Sequence, residues 1–361
     1  MNLKRILVLF YAIVGFTLTA FSQHQTDNTE AHETGGEKKF QPGPFITEHI
    51  ADSYEWHIAT FGKFHLSIPL PVILYSKTSG FHVFMSSKFH HGHEAHKGFI
   101  ITHKTENKGK VVEIMPDGSE VRPYDISITK NVLSLLMSLG FMLWIFISIA
   151  NRYKRNPESA PKGMQSFLEP LILFIRDDVA KSSIGEKKYQ KFLPYLLTVF
   201  FFIFFNNLFG LIPIFPGGAN LTGNIAITLV LAVFTFVLTT INANTNYWVH
   251  IFWPSGVPVW LKIPPIIPLV EIIGVFTKPF VLMVRLFANI TAGHVIALGF
   301  FGLIFIFGNM NMVAGYGISV ISIAFTVFMT LLELLVAFIQ AYVFTLLSAI
   351  YFGMAVEEHH H

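Results

Sequence analysis

The sequence predicts an all-α polytopic membrane protein with about five membrane-crossing segments. These end in a long tilted helical hairpin and are preceded by a small β-rich exported domain. Three observations predict this. Hydrophobic residues make up 52 % of the chain and charged residues only 13 %, with a mean hydropathy of +0.54, whereas soluble domains carry about 25 % charge. From Phe192 to Val356 the only formally charged residues are Lys262, Glu271, Lys278, Arg285 and Glu333. Ahead of the apolar segments, Ile46 to Arg122 breaks into short β-like runs separated by turn residues. The formal net charge of +3 says less than where the charges lie. With no cysteine, disulfides, thiolate chemistry and iron–sulfur clusters are excluded.

Residues 1–22 place Lys4 and Arg5 before an apolar run that ends in small residues, which reads as a signal peptide. The alternative is a retained N-terminal anchor; under both readings the segment after residue 22 is exported. Residues 23–45 are polar and read as a flexible leader, and 46–130 as a small extramembrane, periplasmic domain. Its expected strands lie in WHIATF, FHLSIPLPVILY, GFHVFMSS, GFIITHK and KVVEIMPDGSEV, with Asp117-Gly118 as a turn inside the last. His90, His91, His93 and His96 have a spacing that can ligate zinc or copper. No thiol or carboxylate pattern completes a site, so a histidine-rich surface loop is the plainer reading and no metal is assigned.

The membrane domain is expected over 131–356, with a short tail at 357–361. Val132–Ala150 is about the length needed to span. Arg152, Lys154, Arg155, Lys162, Arg176, Lys181, Lys187, Lys188 and Lys191 come after it, and the positive-inside rule puts them in the cytoplasm. The N-terminal domain then lies outside, in agreement with the export signal, and the C-terminus lies inside. Met164–Ala180 is amphipathic and is expected along the membrane surface or against a partner. Phe192–Pro213 spans outward and Asn224–Ile241 returns. Asn206, Asn207, Asn220 and Asn224 either line an aqueous path or hydrogen-bond between helices. Asn242–Pro265 reads as an interfacial linker carrying Trp248, Trp253 and Trp260. Ile266–Phe307 and Ile318–Met354 are too long for one perpendicular crossing of an about 30 Å core. Each must tilt steeply, lie partly in the membrane plane, or break. Pro268, Gly274, Pro279 and Gly293 offer breaking points in the first, and NMNMVAGYG reads as the turn between the two.

The stretch KPFVLMVRLFANITAGHVIALG, 278–299, carries the chemistry. Arg285 sits in its apolar middle, where a charge costs about 2.5–3.5 kcal/mol on insertion scales, so it reads as functional by default. Spacings of seven put Glu271, Lys278 and Arg285 near one helix face, joined by Asn289, and do the same for Glu333 and Gln340. Plainer roles exist for each. Arg285 could pair structurally with Glu271 or Glu333, His294 could bridge helices, and Glu271 could pair with Lys278.

RLFANITAGH, the KPF before it, and Glu333 and Gln340 in LLELLVAFIQAYVFTLLSAIYFGMA resemble subunit a of the F-type ATP synthase. The likeness runs from about Asp125 to the C-terminus, and the first third of the chain lies outside it. It implies a proton-conducting stator subunit in a bacterial inner membrane, doing no covalent chemistry itself. Its partners would be a ring of c subunits, the b subunits of a peripheral stalk and other synthase subunits, with no cofactor and no nucleic acid. Two offset half-channels would load and unload ring carboxylates, with Arg285 preventing leak. If Arg285 is level with Gln340, as the family pattern suggests, His294 and Glu333 fall at similar depth on the outer side, about 13 and 10 Å away. Where the family commonly has Glu then His, or the reverse, this chain has His294 then Glu333, keeping one acid and one imidazole. Glu271 and Lys278 would line the inner half-channel, and Asn220 and Asn224 are further candidates. A secondary transporter is the alternative, but it usually shows internal repeats, and none is found around Asn242. No HExxH or GxSxG supports an intramembrane hydrolase.

Overall fold

The computed structural model describes residues 43, 51–61, 64–92, 94–102, 107–155, 160–212, 217–219, 221–253, 266–310 and 312–357. The expected signal peptide, most of the leader, His93, Asn220, Trp260, Lys262 and the end of the tail lie outside them. The chain forms two compact units, one up to Leu136 together with Ile212–Ala219, and one of Met137–Leu211 with Asn220 onward.

The first unit is β-rich. Its strands are β1 (Glu55–Phe61), β2 (Phe64–Pro69), β3 (Pro71–Ser76), β4 (Gly80–Met85), β5 (Phe99–Ile101), β6 (Val111–Ile114), β7 (Glu120–Val121) and β8 (Tyr124–Asp125). They make three antiparallel sheets, ordered β1-β2, β4-β3-β8 and β5-β6-β7. The run expected as one strand, FHLSIPLPVILY, is two. Pro69 and Pro71 lack the N–H a ladder needs, and Leu70 between them exchanges bonds with Ser86 instead (N to Oγ 3.0 Å, and Ser86 N to Leu70 O 2.9 Å). Tyr54, Val72, Leu74, Phe89, Phe99 and Val111 form the core. The Asp117-Gly118 turn joins β6 to β7, with Gly118 at φ +80° and Asp117 Oδ1 accepting from Ser119 N at 2.9 Å.

Buried Glu113 accepts hydrogen bonds from the hydroxyls of Ser76, Thr78 (2.9 Å) and Ser79 (2.7 Å). Burial pushes its carboxyl up, but the three donors outweigh it and hold it below the ordinary glutamate value. Burial and the neighbouring Asp125 raise the Tyr54 phenol. His90 faces exposed Glu94 at 3.6 Å and His96 packs edge-on against Phe84. Among the described residues no group of three potential ligands could hold a metal.

The second unit is helical and continues α1 (Lys130–Arg155), which begins in the first. Then come α2 (Met164–Phe174), α3 (Tyr189–Leu211), α4 (Ile225–Ile241), α5 (Thr245–Phe252), α6 (Ile266–Met310) and α7 (Met312–Val356). Among the described residues four helices are long and apolar enough to cross a membrane, or five if α4 and α5, bent by 101°, count as one span. α2 runs on through a π-helical stretch, Ile175–Lys181, into a last turn, Ser182–Ile184. It buries Gln165 and Leu168 and exposes Met164 and Phe167. In the π stretch Asp177 bridges Arg176 and Lys181, and those two cations hold its carboxyl far below the usual range. The most enclosed span is α3, whose Phe200 and Phe204 pack against Phe338 of α7.

Small and hydroxylic residues let α4 approach its neighbours closely. Its buried stripe is Thr228, Ala232, Thr235 and Thr239, and Thr235 Oγ1 contacts Tyr195 Oη (2.7 Å) and Ser348 Oγ (3.4 Å). Three expectations for the end of the chain are corrected. The linker after Ile241 contains a helix, α5. The turn NMNMVAGYG is mostly helix, since α6 reaches Met310 and α7 starts at Met312, and extending a helix satisfies more backbone groups than an open turn. None of Pro268, Gly274, Pro279 or Gly293 breaks α6. Pro268 lies in the first turn, where its missing N–H has no intrahelical partner to lose. The helix runs on through Pro279, since in an apolar setting the backbone groups of an open break have no water to turn to. At 45 residues each, α6 and α7 are about 68 Å long, so tilting or lying in plane remains the way to fit a core of about 30 Å.

The C-terminus of α7 is held from outside. Asn244 donates from N to Ala355 O (2.8 Å) and from Nδ2 to Val356 O (3.0 Å), and Lys188 Nζ donates to Val356 O (2.9 Å). These donors satisfy carbonyls the helix cannot, and the lysine charge suits the negative end of the helix dipole. Gly353 allows the same region to close, because a Cβ there would overlap the Ser183 carbonyl.

Candidate functional site

The site is built on the antiparallel pair α6 and α7, and three contacts set its register. Phe300 stacks on Phe325 with centroids 5.1 Å apart. Gly293 leaves room for the Glu333 side chain, whose Oε1 and Cγ lie 2.8 and 3.3 Å from where a Cβ would be. Lys278 Nζ lies 5.6 Å from the Tyr351 ring centroid. Counting from the Gly293–Glu333 contact, Arg285 is about 12 Å back along α6 and Gln340 about 10.5 Å onward along α7. Arg285 and Gln340 are therefore level, and His294 is level with Glu333.

Around the helices these residues differ. Arg285 and Asn289, one turn apart, are exposed on α6, with exposed Val281 one turn before Arg285, while Leu282, Met283 and Leu286 are buried. Among the described residues Arg285 forms no ion pair with Glu271 or Glu333. Gln340 is buried. Half-buried Glu333 has one oxygen, Oε1, with no hydrogen-bond partner among the described residues, and Thr291 Oγ1 is in the same position. Half-buried His294 comes directly after Gly293. An exposed charge on α6 and an acid packed against Gly293 in the α6–α7 interface are two distinct chemical settings.

Toward the other end of α6, Lys278 Nζ lies between two rings, Tyr247 of α5 at 6.0 Å and Tyr351 of α7 at 5.6 Å. Glu271 is two turns further along the same face. Sequence reading missed both tyrosines. Tyr351 lies three turns beyond Gln340 and so shares its face, a signal that was available; Tyr247 lay in what read as linker. Asn224 caps α4, its side chain accepting from Ala226 N at 2.9 Å. Asn207 takes the bridging role, donating to Ala337 O (3.2 Å) and accepting from Thr222 Oγ1 (2.6 Å).

The family described as ATP synthase A chain matches residues 132–353, and a family described as a domain of unknown function matches 45–129. The chain is 45 % identical over 248 residues to ATP synthase subunit a of Chloroherpeton thalassium, which covers 67 % of this chain and 70 % of that protein. It is 43 % identical over 282 residues to ATP synthase subunit a 2 of Prosthecochloris aestuarii, covering 75 % and 82 %. To ATP synthase subunit a of Chlorobium phaeobacteroides strain BS1 it is 36 % identical over 330 residues, covering 90 % and 79 %.

Proposed function

The chain belongs to the ATP synthase subunit a family, the proton-translocating part of the membrane sector, and on that premise we propose that it conducts protons through two offset half-channels separated by Arg285. It is membrane-embedded and works within the ATP synthase complex. The observation that carries the half-channel reading is the register of α6 against α7, which sets Arg285 level with Gln340 and His294 level with Glu333.

The open face of α6 meets the ring of c subunits. Arg285 stays charged at any accessible pH and favours the ionised form of each ring carboxylate that passes it. The proton must therefore leave first, and the fixed charge blocks a direct leak. Asn289 and Gln340 orient the guanidinium. On the outer side, His294 and Glu333 relay protons, an imidazole and a carboxyl at one depth, with Asn220 and Asn224 as secondary candidates for the path. On the inner side Glu271 and Lys278 line the path. Each proton crossing 100 mV releases about 2.3 kcal/mol.

The exported 46–130 domain comes after a signal peptide at 1–22 and a leader at 23–45, and the 131–356 domain carries the channel. The basic run after α1 supports a cytoplasmic position for that loop and the C-terminus, and a periplasmic one for the N-terminal domain, in a bacterial inner membrane. The c-subunit ring and the b subunits of a peripheral stalk are its partners.

ATP-driven proton pumping in inverted vesicles tests the reading, with matched amounts of assembled complex. Arg285→Ala and Glu333→Gln are each expected to abolish pumping while leaving assembly intact. Pumping at the wild-type rate in either variant removes that residue from the path.

A further inference from the structure

The sheet β4-β3-β8 of the N-terminal unit has one face in the core and the other bare. Val72 and Leu74 point inward and are fully buried. The pairing of β3 with β4 sets Met85 opposite Pro71, Val83 opposite Ile73 and Phe81 opposite Tyr75. On the other side Tyr124 pairs with Tyr75, Ile126 N donates to Ile73 O (2.9 Å), and Ile128 N donates to Pro71 O (3.1 Å). Same-face residues of three strands thus form three rows: Met85–Pro71–Ile128, Val83–Ile73–Ile126 and Phe81–Tyr75–Tyr124.

No polar side chain interrupts these rows. Phe81 is 66 % exposed, Val83 53 %, Tyr124 58 % and Ile126 68 %. An antiparallel sheet with one face on a core ordinarily turns polar residues outward, and a contiguous bare apolar patch marks an interaction surface. Two facts identify the occupant. The row containing Ile128 ends two residues before Lys130, where the first span begins. That first turn is tied to the same unit through Lys130 N to Ser53 O (2.8 Å) and Asn131 N to Asp52 Oδ1 (3.0 Å). The patch therefore ends two residues from the start of the first span, whose first turns carry exposed Val132 and Leu136. At the far edge the two tyrosines are flanked by Lys77, whose Nζ lies 6.0 Å from the Tyr124 ring centroid, and by exposed Arg122. Aromatic rings with basic side chains beside an apolar face are the composition of an interfacial membrane anchor. A non-obligate protein interface is only about 56–58 % non-polar.

We propose that this sheet face rests on the lipid bilayer that α1 enters, embedding the rows of Val83 and Met85 at the boundary of headgroups and acyl chains. The N-terminal unit is then a lipid-seated collar on the first span, held independently of the proton path.

The chain has no native cysteine, so a single one can be labelled in it, and the test uses the complex assembled with cysteine-free versions of the other subunits. A nitroxide is attached at Val83→Cys, Ile126→Cys or, as a control on the exposed β6–β7 turn, Asp117→Cys, in nanodiscs of phosphatidylethanolamine and phosphatidylglycerol. Molecular oxygen concentrates in acyl chains and a water-soluble nickel chelate is excluded from them. At 83 and 126 collisions with oxygen are expected to exceed those with nickel by several-fold, with the order reversed at 117. Nickel-dominated collisions at 83 and 126 would place the face in water and overturn the proposal. Low access to both reagents would also overturn it, by showing that a protein surface covers the sheet.

Discussion

Replacing Gly293 with alanine tests the Glu333 position with a single methyl group. The new Cβ would lie 2.8 Å from Glu333 Oε1 and 3.3 Å from its Cγ, so the carboxyl must withdraw by roughly 0.7 Å to reach ordinary contact near 3.5 Å. The glutamate is a flexible side chain, so the strain goes into its torsions at about 0.5–1.5 kcal/mol. If that cost recurs whenever the carboxyl takes up its working position, pumping slows by about 2- to 12-fold at 1.36 kcal/mol per decade. The assay is ATP-driven acidification of inverted vesicles, normalised to assembled complex. Glu333→Asp in the Gly293→Ala background pulls the carboxyl back by one methylene and should recover part of the loss. Unchanged pumping in Gly293→Ala, or a double variant worse than both single ones, would refute the claim that this contact sets the position of the acid.

Other consequences of the geometry can be measured separately. Gly293→Cys combined with Glu333→Cys should form a disulfide under mild oxidation, whereas Phe280→Cys with Glu333→Cys, many residues out of register, should not; the reverse pattern would break the α6–α7 alignment. Gly353→Ala meets the Ser183 backbone and not a flexible side chain, so it should destabilise the helical unit by about 1–3 kcal/mol, read as a lowered midpoint of heat-induced aggregation of detergent-solubilised complex. Glu113 is held below its ordinary value of 4.5, so its stabilisation is complete above that value and is lost as pH falls through the depressed folded value. Limited proteolysis of the β-rich unit should accelerate in that acid window, and Glu113→Gln should flatten the dependence; equal acid sensitivity in both would assign it to other groups.

Much of this protein was legible in its sequence, because the membrane imposes simple rules. Apolar runs of spanning length, a basic loop after the first of them, and one arginine in an otherwise uncharged stretch each follow from the cost of placing polar groups in hydrocarbon. The strands before α1 were legible from alternation and from Asp117-Gly118. Local helix pattern also brought Glu271, Lys278 and Arg285 to one face. It could not say whether Pro279 would break α6, because that depends on whether the freed backbone groups find another partner. It also missed α5, whose eight residues show too few turns for a period to stand out.

Tertiary structure decided what depends on the neighbour. A family likeness alone suggests that Arg285 is level with Gln340; in the fold that level comes from Gly293 receiving Glu333 and from Phe300 stacking on Phe325. Asn224, at the end of a Gly/Asn turn, became a helix cap, and Asn207, inside a Phe-rich helix, became a bridge. Tyr247 reached Lys278 only because α5 folds back after a sharp bend. The bare sheet face emerged only once the register of β4, β3 and β8 aligned their apolar residues. Sequence determines how costly each residue is in lipid or in water, since that is a property of the side chain and its near neighbours along the chain. Which groups meet is set by close packing between segments far apart in sequence, so register, caps and bare faces belong to the fold.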